Sequence, residues 1–161
     1  INVIINIVRS TPFVVLLVAI MPVTKFIIGT RIGPTAAIVP LTVNAIPLLT
    51  RLFENSLLDT GNGILEAALS MGSSPVEVIF RVYLRESTAA LARATTITAI
   101  SLLGLTAMAG AVGAGGLGDF AIRYGHDRNM TDITWATVIV LVIAVSLVQW
   151  LGGHIAKKNT H

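Results

Sequence analysis

The sequence predicts an all-α, polytopic membrane helical bundle, and three observations carry that prediction. The chain of 161 residues is 54% hydrophobic and 12% charged, with a mean hydropathy of +0.83, whereas soluble domains carry about 25% charged residues. The charges cluster, so that residues 102–118 and 133–153 contain none. Uncharged apolar runs of about 18 residues or more are read as membrane-spanning helices. No segment alternates polar and apolar residues as a membrane barrel does, and helices are the other structure whose backbone is satisfied in lipid. A soluble, all-buried helical core is the opposing reading, but this chain has too few polar residues to coat one.

Four apolar segments are drawn in order. The first covers about 1–23 and is interrupted by Arg9-Ser10-Thr11-Pro12. If Arg9 marks a helix end at the headgroups, the spanning part shifts to 12–29. The second covers 32–49 and holds Pro34, Pro40 and Pro47. Interior proline removes a backbone donor and bends a helix, so this span is expected to be kinked and packed within the bundle. The third covers 96–117 and the fourth 133–151, with Trp135 and Trp150 near opposite ends, where aromatic residues anchor a helix at the interface. A short loop is expected over 119–132. The chain begins at Ile1, inside an apolar run, and is read as lacking an N-terminal span.

Residues 51–93 separate the second and third spans and hold Glu54, Asp59, Glu66, Glu77 and Glu86 together with Arg51, Arg81, Arg85 and Arg93. Two spans lie between this stretch and the tail with Lys157 and Lys158, so both share one side. That side carries six basic residues, against Lys25, Arg31, Arg123 and Arg128 on the other. The positive-inside bias places 51–93 and the C-terminus in the cytoplasm.

Within that stretch, 63–71 is rich in helix formers, and Gly72 can take the left-handed conformation that closes a helix. Ser74, Pro75 and Glu77 then form a capping box with proline at the first helical position. The spacing predicts a helix, a sharp turn at Gly72-Ser73, and a second helix running to the membrane. Leu65, Leu69, Gly72, Val76, Ile79 and Tyr83 recur every three or four residues. Such a stripe outside the bilayer needs a cover, either the rest of the bundle or a soluble partner.

Other signals exclude chemistry. There are no cysteines, and His126, His154 and His161 are scattered without metal-ligand spacing. The basic residues form no stripe for nucleic acid and suit contact with anionic lipid headgroups. The run Gly113-Ala114-Gly115-Gly116-Leu117-Gly118 matches a dinucleotide string, but no strand precedes it and no acid follows about 20 residues on. Ala107, Ala111 and Gly115, and likewise Ala109 and Gly113, are small residues four apart that let membrane helices approach closely. Asn44, Thr106 and Met108 are candidates for lining a pathway. For Asn44 the alternative is a hydrogen bond to a carbonyl freed by Pro40 or Pro47, and for the other two it is core packing. No nucleotide-hydrolysing string, Ser/His/Asp set or cofactor motif is present.

Glu66-Ala67-Ala68 followed by Gly72 resembles the EAA loop of ABC importer permeases, with the family's later apolar positions at Ile79, Val82 and Leu84. Arg9-Ser10-Thr11-Pro12-Phe13, Ala37-Ile38-Val39-Pro40-Leu41-Thr42-Val43 and the 110–118 run are similar to methionine-import permeases. The family usually has proline after the last leucine, where this chain has Arg85.

The resemblance implies one permease domain over 1–161, with five spans in a complete chain and a cytoplasmic coupling loop over 63–86. Glu66, Ala67, Ala68, Gly72, Ser74 and Pro75 would engage the ATPase. It further implies a multi-pass protein of the bacterial inner membrane that forms a homodimer around the pathway, with the 110–118 region near the subunit interface. A cytoplasmic ATP-binding subunit would hydrolyse ATP, and a periplasmic or lipid-anchored binding protein would deliver the amino acid. The rival class is a secondary transporter or channel, which places ionisable residues within its spans. The third and fourth spans have none.

Overall fold

The computed structural model describes residues 5–7 and 10–158. Arg9, the first residues of the 1–23 segment and His161 lie outside the described residues. Helix α1 is Phe13–Ile28, capped by Pro12 and closed by Gly29 at φ 86°. The first span thus follows the shifted boundary. Its 16 residues rise about 24 Å, short of a hydrocarbon core of about 30 Å.

Helix α2, Pro34–Leu58, is longer than the 32–49 expected. Pro34 occupies its first turn, and Pro40 and Pro47 lie inside it. Past the apolar stretch the helix carries an ion pair on neighbouring turns, Arg51 to Glu54 at 2.7 Å, which adds about 0.2–0.5 kcal/mol. Helix α3 is Asn62–Ser70. Helix α4 runs over 75–86 as Pro75–Glu77, a π-helical Val78–Tyr83 and Leu84–Glu86. After Ser87, α5 covers Thr88–Ala109, eight residues earlier than expected, and passes into a π-helical Gly110–Ala114. Gly113 and Gly115, at φ 87° and 79°, break the chain before Leu117.

The expected loop over 119–132 is instead largely helical. Helix α6 is Gly116–Phe120, continued by π-helical Ala121–His126. Helix α7 is Thr131–Lys158, extended beyond 133–151 at both ends. No strand occurs among the described residues.

Helix α5 is the centre of the bundle, packed between α2 and α7, with α1 against α2. Phe13, Leu17, Ala37 and Ala109 form the core, flanked by Met21, Leu41, Leu105, Val112 and Ala114. Along α7, Ile139, Val142, Ile143 and Leu147 are each more than half exposed, as suits a helix facing lipid or another protein. Hydroxyls along the spans are satisfied within their own helices: Thr96, Thr98 and Thr137 donate to the carbonyls of Ala92, Ala94 and Ile133. Trp135 and Trp150 are exposed near the two ends of α7.

Candidate functional site

The α3–α4 hairpin stands apart from the bundle. Its arms pack on each other, and their main contact with a transmembrane helix is where α4 runs on into α5. The turn has two devices, both built from short-range chemistry. At the end of α3, Ser73 N donates to the Ala68 carbonyl (3.2 Å) and Gly72 N to that of Leu69 (3.0 Å). Gly72 sits at φ 84°, which completes a Schellman motif and requires a residue without a Cβ penalty.

At the start of α4, Ser74 Oγ accepts from Glu77 N (3.3 Å), while Ser74 N and Oγ donate to Glu77 Oε2 (3.1 and 3.0 Å). Pro75 occupies the first helical position. These hydrogen bonds, to the Ser74 backbone first and its side chain second, with Arg81 at 3.6 Å, hold the Glu77 carboxyl below its ordinary pKa.

The Glu66-Ala67-Ala68 triplet divides its labour. Ala68 is 4% exposed and, with Val78 at 6%, is enclosed within the hairpin. Ala67 and Glu66 face outward, and the Glu66 carboxylate has no partner among the described residues. The expected apolar stripe is not covered by the bundle: Leu69, Val76 and Ile79 are exposed, as are Ile64, Met71 (79%) and Phe80 (67%). The hairpin therefore offers an apolar surface with one free carboxylate beside it.

The base of the hairpin holds residues that sequence reasoning missed. Ser87, 1% exposed, donates to the Tyr83 carbonyl (2.7 Å), and its Oγ meets Thr60 Oγ1 at 2.6 Å. Ser56 Oγ, on α2, reaches the carbonyls of Leu52 (2.8 Å) and Ala90 (3.3 Å). A polar recess of about 310 Å³ opens beside them, rimmed by Asp59, Arg85, Glu86 and Arg93. Arg85, where the family has proline, lies in Leu84–Glu86, and the chain passes into α5 with a single turn residue between.

The pathway candidates do not form one wall. Thr106 and Leu41 line a recess of about 190 Å³ together with Pro34, Ala109 and Gly115. Asn44 lies one turn beyond Leu41 on α2, half-buried, and its amide makes no hydrogen bond to the carbonyls freed by Pro40 and Pro47. Met108 is 46% exposed and, two residues from Thr106, points about 200° away around α5.

Of the small residues four apart, Gly113 and Gly115 meet the segment entering α2: a Cβ on Gly113 would stand 3.0 Å from Ile32 Cγ2 and one on Gly115 3.4 Å from Pro34 Cγ. Tighter approaches lie across the re-entrant turn from α5 to α6, where a Cβ on Gly118 would overlap the Ala107 carbonyl oxygen and one on Gly110 the Asp119 amide. Among the described residues no group of His, Cys, Asp and Glu could hold a metal ion.

Known proteins with this organisation are membrane permeases. The probable D-methionine transport system permease protein MetI of Pasteurella multocida is 49% identical over 160 residues, covering 99% of this chain and 74% of that protein. The methionine import system permease protein MetP of Bacillus subtilis is 41% identical over 149 residues, covering 92% of this chain and 67% of that one. Among solved structures, an inward-facing conformation of the MetNI methionine ABC transporter superposes with a TM-score of 0.92 at 44% identity, covering 99% of this chain and 74% of its counterpart. The model of one family runs through residues 1–161, spans and hairpin together, and by that match the chain belongs to the binding-protein-dependent transport system inner membrane components.

Proposed function

We propose that the chain is the permease subunit of an ATP-driven methionine importer and that the hairpin of α3 and α4 is where it is driven. The observation that carries this reading is the apolar surface of Met71, Val76, Ile79 and Phe80, exposed on a rigid turn outside the bundle. A cytoplasmic ATP-binding subunit grips that surface, with Glu66, Ala67, Ala68, Gly72, Ser74 and Pro75 shaping the contact. ATP hydrolysis belongs to that subunit. Two copies of this chain enclose the pathway, Asn44 and Thr106 lie towards it, and a substrate-binding protein delivers methionine from the opposite side. The hairpin and the C-terminus lie in the cytoplasm. Closure of the ATP-binding subunits moves the hairpins and biases the bundle between two states, which requires differential binding to each.

Gly72→Asp tests this. No atom lies within 4 Å of a Cβ at that position, so the hairpin itself meets only the strain of φ 84°, of the order of 1–2 kcal/mol. The docking surface gains a charge. Gly72→Asn bears the same Cβ and, like Asp, tolerates the left-handed region, so it differs from the Asp variant chiefly in charge. Vesicle uptake of labelled methionine is expected to fall at least about tenfold for Asp, a loss of roughly 1.4 kcal/mol or more, and to survive in Asn, with both chains inserted normally. Undiminished uptake by the Asp variant, with the ATP-binding subunit still attached, would refute the role.

A further inference from the structure

The hairpin's isolation fixes where force can pass. Since its arms pack mainly on each other, a displacement at the Gly72 tip reaches the bundle chiefly through the base. There the two ends of the hairpin differ. The outgoing end is helical almost throughout, from 75–86 through Ser87 into α5. The incoming end is a non-helical turn at Thr60-Gly61 between α2 and α3, which by itself is a pivot: α3 could swing there without moving α2.

The Thr60–Ser87 contact ties the α2 side of that turn to the start of α5. Ser87 has one hydroxyl proton and gives it to the Tyr83 carbonyl at 2.7 Å. The 2.6 Å contact is therefore a bond from Thr60 Oγ1 to Ser87 Oγ. Residues 27 apart in sequence are joined at the level where both helices leave the bundle, and the bond sits behind a side chain only 1% exposed. One turn further in, Ser56 on α2 reaches the Ala90 carbonyl of α5 at 3.3 Å.

We propose that Thr60 and Ser87 are a positioning pair that makes the end of α2 and the start of α5 move as one body with the hairpin, and so sets how much transport each ATP hydrolysis yields. The inference rests on the coupling role of the hairpin proposed above. Neither residue touches substrate or nucleotide in this scheme; both act through the helices they hold together. Loss of the bond leaves the docking surface intact and lets the end of α2 part from the start of α5, so hydrolysis continues while its motion is only partly delivered.

The test uses the complete transporter in proteoliposomes, with ATP hydrolysis and methionine uptake measured on the same preparation. Thr60→Val removes the hydroxyl and keeps the shape, leaving Ser87 bonded to Tyr83, while Thr60→Ser keeps the hydroxyl. ATP consumed per methionine carried is expected to rise about fivefold or more in Thr60→Val, the low end of usual coupling energies, and to stay native in Thr60→Ser. Ser87→Ala is expected to match Thr60→Val. A native ratio in Thr60→Val, or uptake and hydrolysis falling in proportion as a merely destabilised protein would show, overturns the proposal. If the native chain fails to co-purify with an ATP-binding subunit, the coupling reading itself falls, and this inference with it.

Discussion

Two adjacent glycines of α7 should respond in opposite directions to the same substitution. Gly152 faces α5, and a Cβ there would overlap Thr96 Oγ1 and Cγ2 and stand 2.7 Å from Thr96 Cβ. Rotating Thr96 moves the first two atoms, at the expense of its bond to the Ala92 carbonyl, but its Cβ moves only with the α5 backbone. The two helices would have to separate, so Gly152→Ala should cost about 1–3 kcal/mol, as overpacking does. Gly153 has no atom within 4 Å of its Cβ position and lies within the same helix, so Gly153→Ala should gain about 0.5–1 kcal/mol from reduced backbone freedom in the unfolded chain. At roughly 2–4 °C per kcal/mol for a chain of this size, the melting temperatures should part by about 3–16 °C.

Thermal unfolding of the detergent-solubilised permease, followed by loss of the monodisperse peak, measures this directly. Adding Thr96→Ala to Gly152→Ala removes two of the three overlaps and should recover part of the loss. Equal shifts for Gly152→Ala and Gly153→Ala would refute the packing argument, since both see the same membrane, detergent and helix.

Two further outcomes follow from the turn chemistry. Glu77 has a folded-state pKa lowered by Ser74 and Arg81. The capping it provides is therefore complete above the ordinary glutamate range near pH ~4.3 and is lost as pH falls through the lowered folded value. Protection of the first amides of α4, measured as hydrogen exchange relative to the intrinsic rate at each pH, should fall on acidification in the native chain and show no such step in Glu77→Gln. At the α5–α6 turn, a Cβ on Gly118 would also lie 2.7 and 2.9 Å from the Ala107 carbonyl carbon and Cα, with backbone on both sides, whereas Gly104 in the same span has nothing within 4 Å. Gly118→Ala should destabilise by about 3 kcal/mol, while Gly104→Ala, in an open helical site like that of Gly153, should gain about 0.5–1 kcal/mol, compared by the same melting assay.

What was legible in the sequence is what a few neighbouring residues decide. The Gly72 turn and the Ser74-Pro75-Glu77 box involve atoms within five residues of one another, so composition and spacing suffice to place them. The ends of the spans were misjudged for the opposite reason. A hydropathy window stops at a charge, but a helix does not: α2 runs through Arg51 and Glu54, and α5 begins before Arg93. The small residues at 107–118 marked a close approach, but their partners are set by the re-entry of the chain at Gly113 and Gly115. Thr60 and Ser87 have no local signal, because their pairing across 27 residues exists only once α2 and α5 lie side by side.

The extra length of those helices decides what covers the hairpin. At about 1.5 Å per residue, α2 with 25 residues and α7 with 28 exceed a hydrocarbon core of about 30 Å. On the hairpin side the excess is polar: Arg51 and Glu54 near the end of α2, Arg93 early in α5, and Lys157 and Lys158 ending α7. Residues 51–58, which carry Arg51 and Glu54, lift the base of the hairpin about 12 Å beyond Thr50. Met71, Val76 and Phe80 lie beyond that base and are exposed, and covering each is favourable by about 1.5–3 kcal/mol relative to leaving it in water. Lipid could cover them only if the bundle sank or tilted until Arg51 and Arg93 entered hydrocarbon, at roughly 2.5–3.5 kcal/mol for each such charge near the bilayer centre, with Glu54 carried in beside them. A soluble protein can cover the same surface and leave every charge where it is.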